Sequence, residues 1–184
     1  TQQGRFGAPF YSQGDKQMSI DCNNRTALFV RGGRSRYSPA SPDQIVEAAR
    51  RVIDQRVPAG TPFKDPEIAR AFFRDKLAGL EREVFAAAFL DTRHRLIEYV
   101  ELFHGTIDGA EVHPREVVKK AIACNSAAVL FSHNHPSGEV EPSAADRAVT
   151  ARLKQALALV DVRVLDHIVI GGRDALSMAS RGML

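Results

Sequence analysis

The segment Ala127-Ala128-Val129-Leu130-Phe131 is apolar without a break and runs directly into Ser132-His133-Asn134-His135-Pro136-Ser137-Gly138. A short apolar run of this kind reads as a strand buried inside a layered domain. It has to end where two imidazoles emerge, one residue apart. Side chains alternate along an extended backbone, so His133 and His135 are expected on one side and Asn134 on the other. The C-terminal end of a strand is also where open α/β sheets usually hold their ligands.

The flanking segments supply more strands and the helices that cover them. Val84–Leu90 reads as a second buried strand, Asp91-Thr92-Arg93-His94 as a turn, and Leu96–Phe103 as the returning arm of a hairpin. Val162–Ile170 reads as the last strand, after which Gly171-Gly172 turns the chain into a short tail. Ser41-Pro42-Asp43-Gln44 carries the N-cap serine, early proline and glutamine of a capping box. Ile45, Ala48, Ala49, Val52 and Ile53 then recur on one face. Asp65-Pro66 opens a second helix with Ile68, Phe72, Phe73 and Leu77 as its apolar side. His113-Pro114 begins a third, with Val117, Val118, Ala121 and Ile122 inward. Ser143 begins a long fourth, with Val149, Leu153, Ala156, Leu157 and Leu159 inward. Helices interleaved with apolar strands predict an α/β layered domain over residues 65–184. An N-terminal helix and linker (41–64) and a flexible basic arm (1–40) are expected in front of it.

Bulk properties narrow the function classes. With 44% apolar and 26% charged residues and a net charge of +3, the composition is that of an ordinary soluble globular protein. The positive charge is concentrated in the arm, where Arg5, Lys16, Arg25, Arg31, Arg34 and Arg36 face only Asp15 and Asp21. The arm is therefore where the chain would touch nucleic acid. Arg31-Gly32-Gly33-Arg34-Ser35-Arg36-Tyr37 is similar to RNA-contacting Arg/Gly segments, but an ordinary solvated turn between two short strands is the preferred reading. Cys22 and Cys124 match no ligand spacing and read as an arm thiol and a buried thiol in a reducing compartment. With no membrane-length apolar run and no signal-peptide pattern, the expected location is the cytoplasm, away from membranes.

The chemistry concentrates on His133, His135 and Asp146. Two imidazoles and a carboxylate are one ligand short of the tetrahedron zinc prefers, which leaves a position for water. Ser143 reads as the N-cap of the fourth helix with Asp146 three residues later, placing the carboxylate beside the loop that follows the histidines. Asp146 also reads as a capping-box acid; the His-x-His upstream favours the ligand role. The letters His133-Asn134-His135 are those of HNH nucleases, but the residues of that family are spread over a ββα unit. The Pro-Cys-x-x-Cys signature of deaminases is missing. A binding module without catalysis would not need the complete ligand set.

His133-x-His135, seven intervening residues, Ser143, two more and Asp146 resemble the signature of the JAMM (MPN+) zinc metalloproteases. The flanking Glu83-Val84-Phe85, Leu90-Asp91, Phe103-His104-Gly105-Thr106, His113-Pro114-Arg115-Glu116, Asp166-His167-Ile168-Val169-Ile170 and Ser177 are closer to the bacterial RadC-like branch. This resemblance implies a mixed β-sheet flanked by helices, of the cytidine-deaminase-like type. It implies His133, His135 and Asp146 as ligands of Zn2+, Glu83 as the catalytic residue on the metal's water, and Ser143 as a donor to the oxyanion. Glu81 is the neighbour that competes with Glu83, and Glu83 directly precedes the strand. The implied reaction is hydrolysis of an amide bond in a protein or peptide substrate by a metallopeptidase or isopeptidase. Full-length RadC-like proteins carry a helix-hairpin-helix element that nothing in residues 1–64 resembles, so the chain is similar to the short form often associated with mobile elements. The alternative expectation is a DNA-associated role, in repair or on a mobile element. Of the other histidines, His167 reads either as a support behind the metal ligands or as a packing residue, with packing preferred, and His94 as an inert turn residue. His104 and His113 flank a loop that could line the cleft, with a structural role preferred, and Asn134 and Ser137 read as shapers of the metal loop rather than substrate contacts.

Overall fold

The computed structural model describes residues 28–31, 36–106 and 111–184, apart from the side chains of residues 50 and 53–56. The chain divides into two compact units, Thr1–Ala49 and Arg50–Leu184. In the first, β1 (Phe29–Arg31) and β2 (Tyr37–Pro39) pair antiparallel. Most of the basic arm, residues 1–27 and the Arg/Gly stretch 32–35, lies outside the described residues. The α1 helix (Pro42–Arg56) begins on the expected capping box: the Ser41 N–H donates to Gln44 Oε1 at 2.9 Å and the Gln44 N–H to Ser41 Oγ at 3.2 Å.

The second unit is built on five strands, β3 (Val84–Leu90), β4 (Leu96–His104), β5 (Ala128–His135), β6 (Arg163–Gly171) and β7 (Asp174–Ser177), in the order β4-β3-β5-β6-β7. Every pairing is antiparallel except β5 with β6. The helix that follows β5 carries the chain back to the start of the sheet, so β6 has to run parallel to β5. The sheet is therefore mixed, as expected, with α2 (Pro66–Leu77), α3 (Pro114–Ala123) and α4 (Ala144–Ala158) beside it.

Strand alternation sorts the interior into two cores. Val84, Ala86, Ala88 and Leu90 pack with Phe72, Phe73 and Leu77 of α2. Phe85, Ala87 and Phe89 pack with Val117 and Ala121 of α3 and Leu153 and Leu157 of α4. Burial on both faces is why β3 is apolar at every position. Full burial of each Phe or Leu contributes about 1.5–3 kcal/mol, so both helix layers are needed to hold the sheet.

Of the large apolar residues assigned to the apolar faces of helices, Val52, Ile68, Ile122 and Leu159 are on the surface, the last 87% exposed. Ile122 lies one residue beyond the buried Ala121, a 100° rotation away from the sheet, and Leu159 is the C-cap of α4. The segment after Gly171-Gly172 is not a plain tail. It forms β7 and a 3-10 turn (Ala179–Arg181), held by the buried Asp166 carboxylate. Asp166 accepts from the His167 N–H at 2.7 Å, Ser177 Oγ at 2.5 Å and the Ala179 N–H at 2.9 Å.

Cys124 is a free thiol whose Sγ lies 3.2 Å from Glu98 Oε2. Burial and the neighbouring carboxylate push its pKa up to about 11, which disfavours the thiolate at neutral pH. No helix among the described residues is long and apolar enough to cross a membrane.

Candidate metal centre

The strand β5 extends through His135, so alternation governs the whole motif. His133 faces the core shared with α3 and α4, where its ring lies parallel to that of Phe85 at 6.4 Å. Asn134 points the opposite way, as expected. After His135 the chain reverses: the Gly138 N–H donates to the His135 carbonyl at 3.0 Å, with Gly138 at φ +85°, a conformation that strains any other residue. The returning loop leads to Ser143, the N-cap of α4. Its Oγ accepts from the Asp146 N–H at 3.1 Å, while Asp146 Oδ2 accepts from the Ser143 N–H at 2.7 Å and Oγ–H at 2.6 Å. Asp146 therefore completes a capping box and also faces the histidines. The two roles weighed for it are one arrangement, because the first helical turn delivers the carboxylate to the loop.

His133 Nε2, His135 Nε2 and the Asp146 carboxylate converge, with all ligand atoms within 4.8 Å of one another. Bond lengths of about 2.0–2.2 Å to a tetrahedral zinc put neighbouring ligand atoms about 3.3–3.5 Å apart. His133 Nε2 lies 2.9 Å from His135 Nε2 and 3.3 Å from Asp146 Oδ1, while His135 Nε2 lies 3.5 Å from the other carboxylate oxygen, Oδ2. The donor set fits a small divalent cation without rearrangement of the backbone. Burial works against ionisation of Asp146. Without a metal, the hydrogen bond and charge of a protonated His133, with the two Ser143 donors, outweigh it and hold the carboxyl well below the usual carboxylate range.

The orientation of His135 follows from one contact, Nδ1 to the Glu139 carbonyl at 2.8 Å. A carbonyl only accepts, so Nδ1 carries the proton and Nε2 presents its lone pair to the site. That carbonyl is in reach because Gly171 of β6, paired with His135, has no side chain. A Cβ there would stand 2.5 Å from the Gly138 oxygen and 2.7 Å from the Glu139 oxygen. Gly171→Ala is expected to lift the loop off β6 and weaken metal binding about 10–100-fold. Glu139→Ala, which keeps the carbonyl, should change it little. Competition titration against a chromophoric chelator measures both.

Glu83 lies two residues before Phe85 and so shares the histidines' face of the sheet. It lines the same cleft, of about 750 Å³, as His135, Ser143 and Asp146. Its backbone is pinned by the Glu83 N–H on the Thr106 carbonyl (2.9 Å) and the Gly105 N–H on its own carbonyl (2.8 Å). Asn134 secures the segment from behind: Oδ1 accepts from the Val84 N–H at 2.9 Å and Nδ2 donates to the Arg82 carbonyl at 2.9 Å. Glu81 is exposed and does not line the cleft.

His167 packs in the core and also contacts a residue of the metal group. It is fully buried, with Nε2 2.8 Å from His133 Nδ1 and Nδ1 2.6 Å from Thr150 Oγ1. Burial, with the nearby His133, pushes its pKa well down and keeps it neutral. Thr150 had no signal beyond its position on α4. His113 occupies the N-cap position of α3 without a side-chain capping bond, lines the cleft and meets Phe103 edge-on at 5.8 Å. His104 lies outside that lining, 3.9 Å from Glu101, and His94 sits in the hairpin turn 3.3 Å from Arg163.

A family model described as "RadC-like JAB domain" matches residues 63–183. The chain belongs to this RadC-like JAB family. The mixed sheet and its flanking helices accord with the JAB/MPN type of fold, and the His133–His135–Asp146 group of this JAB domain could hold a metal ion. Curated relatives carry the name "UPF0758 protein". The one from Marinobacter nauticus is 52% identical over 166 residues, 90% of this chain and 73% of its own length. That from Vibrio cholerae serotype O1 is 54% identical over 141 residues, 77% of this chain and 89% of its own. That from Nitrosococcus oceani is 52% identical over 139 residues, 76% of this chain, which spans only 62% of that relative.

Proposed function

We propose that the chain is a zinc-dependent metallopeptidase or isopeptidase that hydrolyses an amide bond in a protein or peptide. The observation that carries this reading is the convergence of two imidazole nitrogens and a carboxylate at a cleft that Glu83 and Ser143 also line. Two nitrogens and one oxygen suit zinc better than the all-oxygen cations, and three protein ligands leave a coordination position open. Zinc in such a site supplies an acidified water and polarises the scissile carbonyl.

The chain's own residues do the rest. The Glu83 carboxylate takes a proton from the nucleophilic water and returns it to the leaving nitrogen. The Ser143 hydroxyl, which rotates about one bond, turns from Asp146 Oδ2 towards the oxygen on which negative charge develops. Loss of one such donor commonly costs about 2.7–4 kcal/mol of transition-state stabilisation. His133 and His135 hold their Nε2 lone pairs inward, and Asp146 adds the negative charge.

The free Cys124 thiol suits a reducing cytoplasm. The alternative of a DNA-associated role rests on charge in residues 1–40, most of which lie outside the described residues.

The test is direct. Elemental analysis should find one zinc per chain, and peptide or isopeptide-linked libraries should be cleaved until a chelator strips the metal, with activity restored by zinc. Stoichiometric zinc with no cleavage of any amide would count against the peptidase assignment; absence of bound metal would remove its basis.

A further inference from the structure

Around His133 the polar contacts form a closed path. His133 Nδ1 meets His167 Nε2 at 2.8 Å, His167 Nδ1 meets Thr150 Oγ1 at 2.6 Å, and Thr150 Oγ1 reaches the Asp146 backbone carbonyl at 2.5 Å. One fixed point sets the direction of every bond. The Asp146 carbonyl can only accept, so the single Thr150 hydroxyl proton goes to it; Met178 Sδ, at 3.9 Å, is a far weaker competitor. Thr150 Oγ1 must then accept from His167, which places the His167 proton on Nδ1. The remaining His167 nitrogen, Nε2, has a lone pair and accepts from His133 Nδ1–H. His133 is left with its Nε2 lone pair pointing at His135 and Asp146.

We infer that His167 and Thr150 are positioning residues: they fix His133 in its metal-facing tautomer and tie it to the backbone of the third ligand, Asp146. The inference rests on the metal reading above. His167 and Thr150 are themselves fully buried and touch neither the cleft nor the carboxylate of Asp146. The ring of His167 is wedged edge-on against Phe85 (5.3 Å) and Phe131 (6.2 Å), so it has no freedom to flip without displacing the core. Packing alone would be met by any flat apolar ring. The need for an acceptor facing the His133 Nδ1–H would not.

That difference supplies the test. Histidine 1H–15N correlation spectra of the native zinc-loaded protein should show His167 neutral with its proton on Nδ1; a proton on Nε2 overturns the relay. Cobalt titration of the metal-stripped chain gives the second readout. His167→Phe keeps the ring and removes the acceptor, and should weaken cobalt binding about 10–100-fold. His167→Gln, whose amide oxygen can take the His133 proton, should recover much of that loss. Thr150→Val should weaken binding in the native background and add nothing to His167→Phe. Equal cobalt affinity in native and His167→Phe protein, or a Gln variant no better than Phe, overturns the relay while leaving the metal reading intact. Native protein that takes up no cobalt overturns both. The native spectrum decides the tautomer even where a variant fails to fold.

Discussion

Glu83→Gln is expected to keep its full complement of metal and to lose about 10²–10⁴ in kcat, the range attributable to a positioned acid–base group. The substitution is nearly isosteric and leaves the backbone pins on Thr106 and Gly105 in place. Asn134 continues to hold the strand entry through Val84 and Arg82. The amide therefore occupies the same position on the cleft wall but can no longer accept a proton at neutral pH. The matching change is in the pH profile: the acidic limb expected for kcat/KM of the native chain should disappear in the variant. Glu81→Gln, on the exposed side of the turn, should be neutral and serves as the control. Turnover that survives in Glu83→Gln, or a metal site emptied by it, would break the assignment of proton transfer to Glu83.

Asp146→Asn should lower metal affinity by at least about 100-fold, the upper end of what loss of a supporting partner costs, because a neutral amide replaces the carboxylate of the His133–His135–Asp146 group. The helix start should survive, since an amide oxygen can still accept from the Ser143 N–H. Asp146→Ala loses both roles and should in addition destabilise the metal-free fold by about 1 kcal/mol, as removal of a cap does. Comparing the three metal-free melting curves separates capping from ligation. The pH dependence has a definite sign. The folded carboxyl titrates below its ordinary range because of His133 and Ser143. The stabilisation it gives over the Asn variant is therefore complete above the unfolded value of about 3.9 and fades as the pH falls through the folded value. An Asn variant that binds metal as tightly as the native chain would remove Asp146 from the site.

Much of this protein is legible locally. The uninterrupted apolar runs of β3 and β5 declare strands covered on both faces, and alternation alone puts His133 and His135 on one side. Ser41-Pro42, Asp65-Pro66 and Ser143 declare helix starts through caps that need only neighbouring residues. Where the partner is distant in sequence the signal fails. Ile68, Ile122 and Leu159 have the composition of a buried stripe, but which arc of a helix is covered depends on the layer packed against it. β7 is four residues long and is held by the carboxylate of Asp166, eleven positions before Ser177.

The same division runs through the metal centre. His-x-His, the serine cap and Asp146 are written within fourteen consecutive residues, because a strand end, a loop and a first helical turn suffice to bring them together. Glu83 follows from its place before β3 and from the family pattern. The roles of His167, Thr150, Gly171 and Asn134 emerge only in three dimensions. They depend on β6 lying parallel beside β5, on α4 lying across that face, and on β3 entering next to Asn134. Short-range chemistry determined which residues could serve as ligands; long-range packing decided which way their lone pairs point.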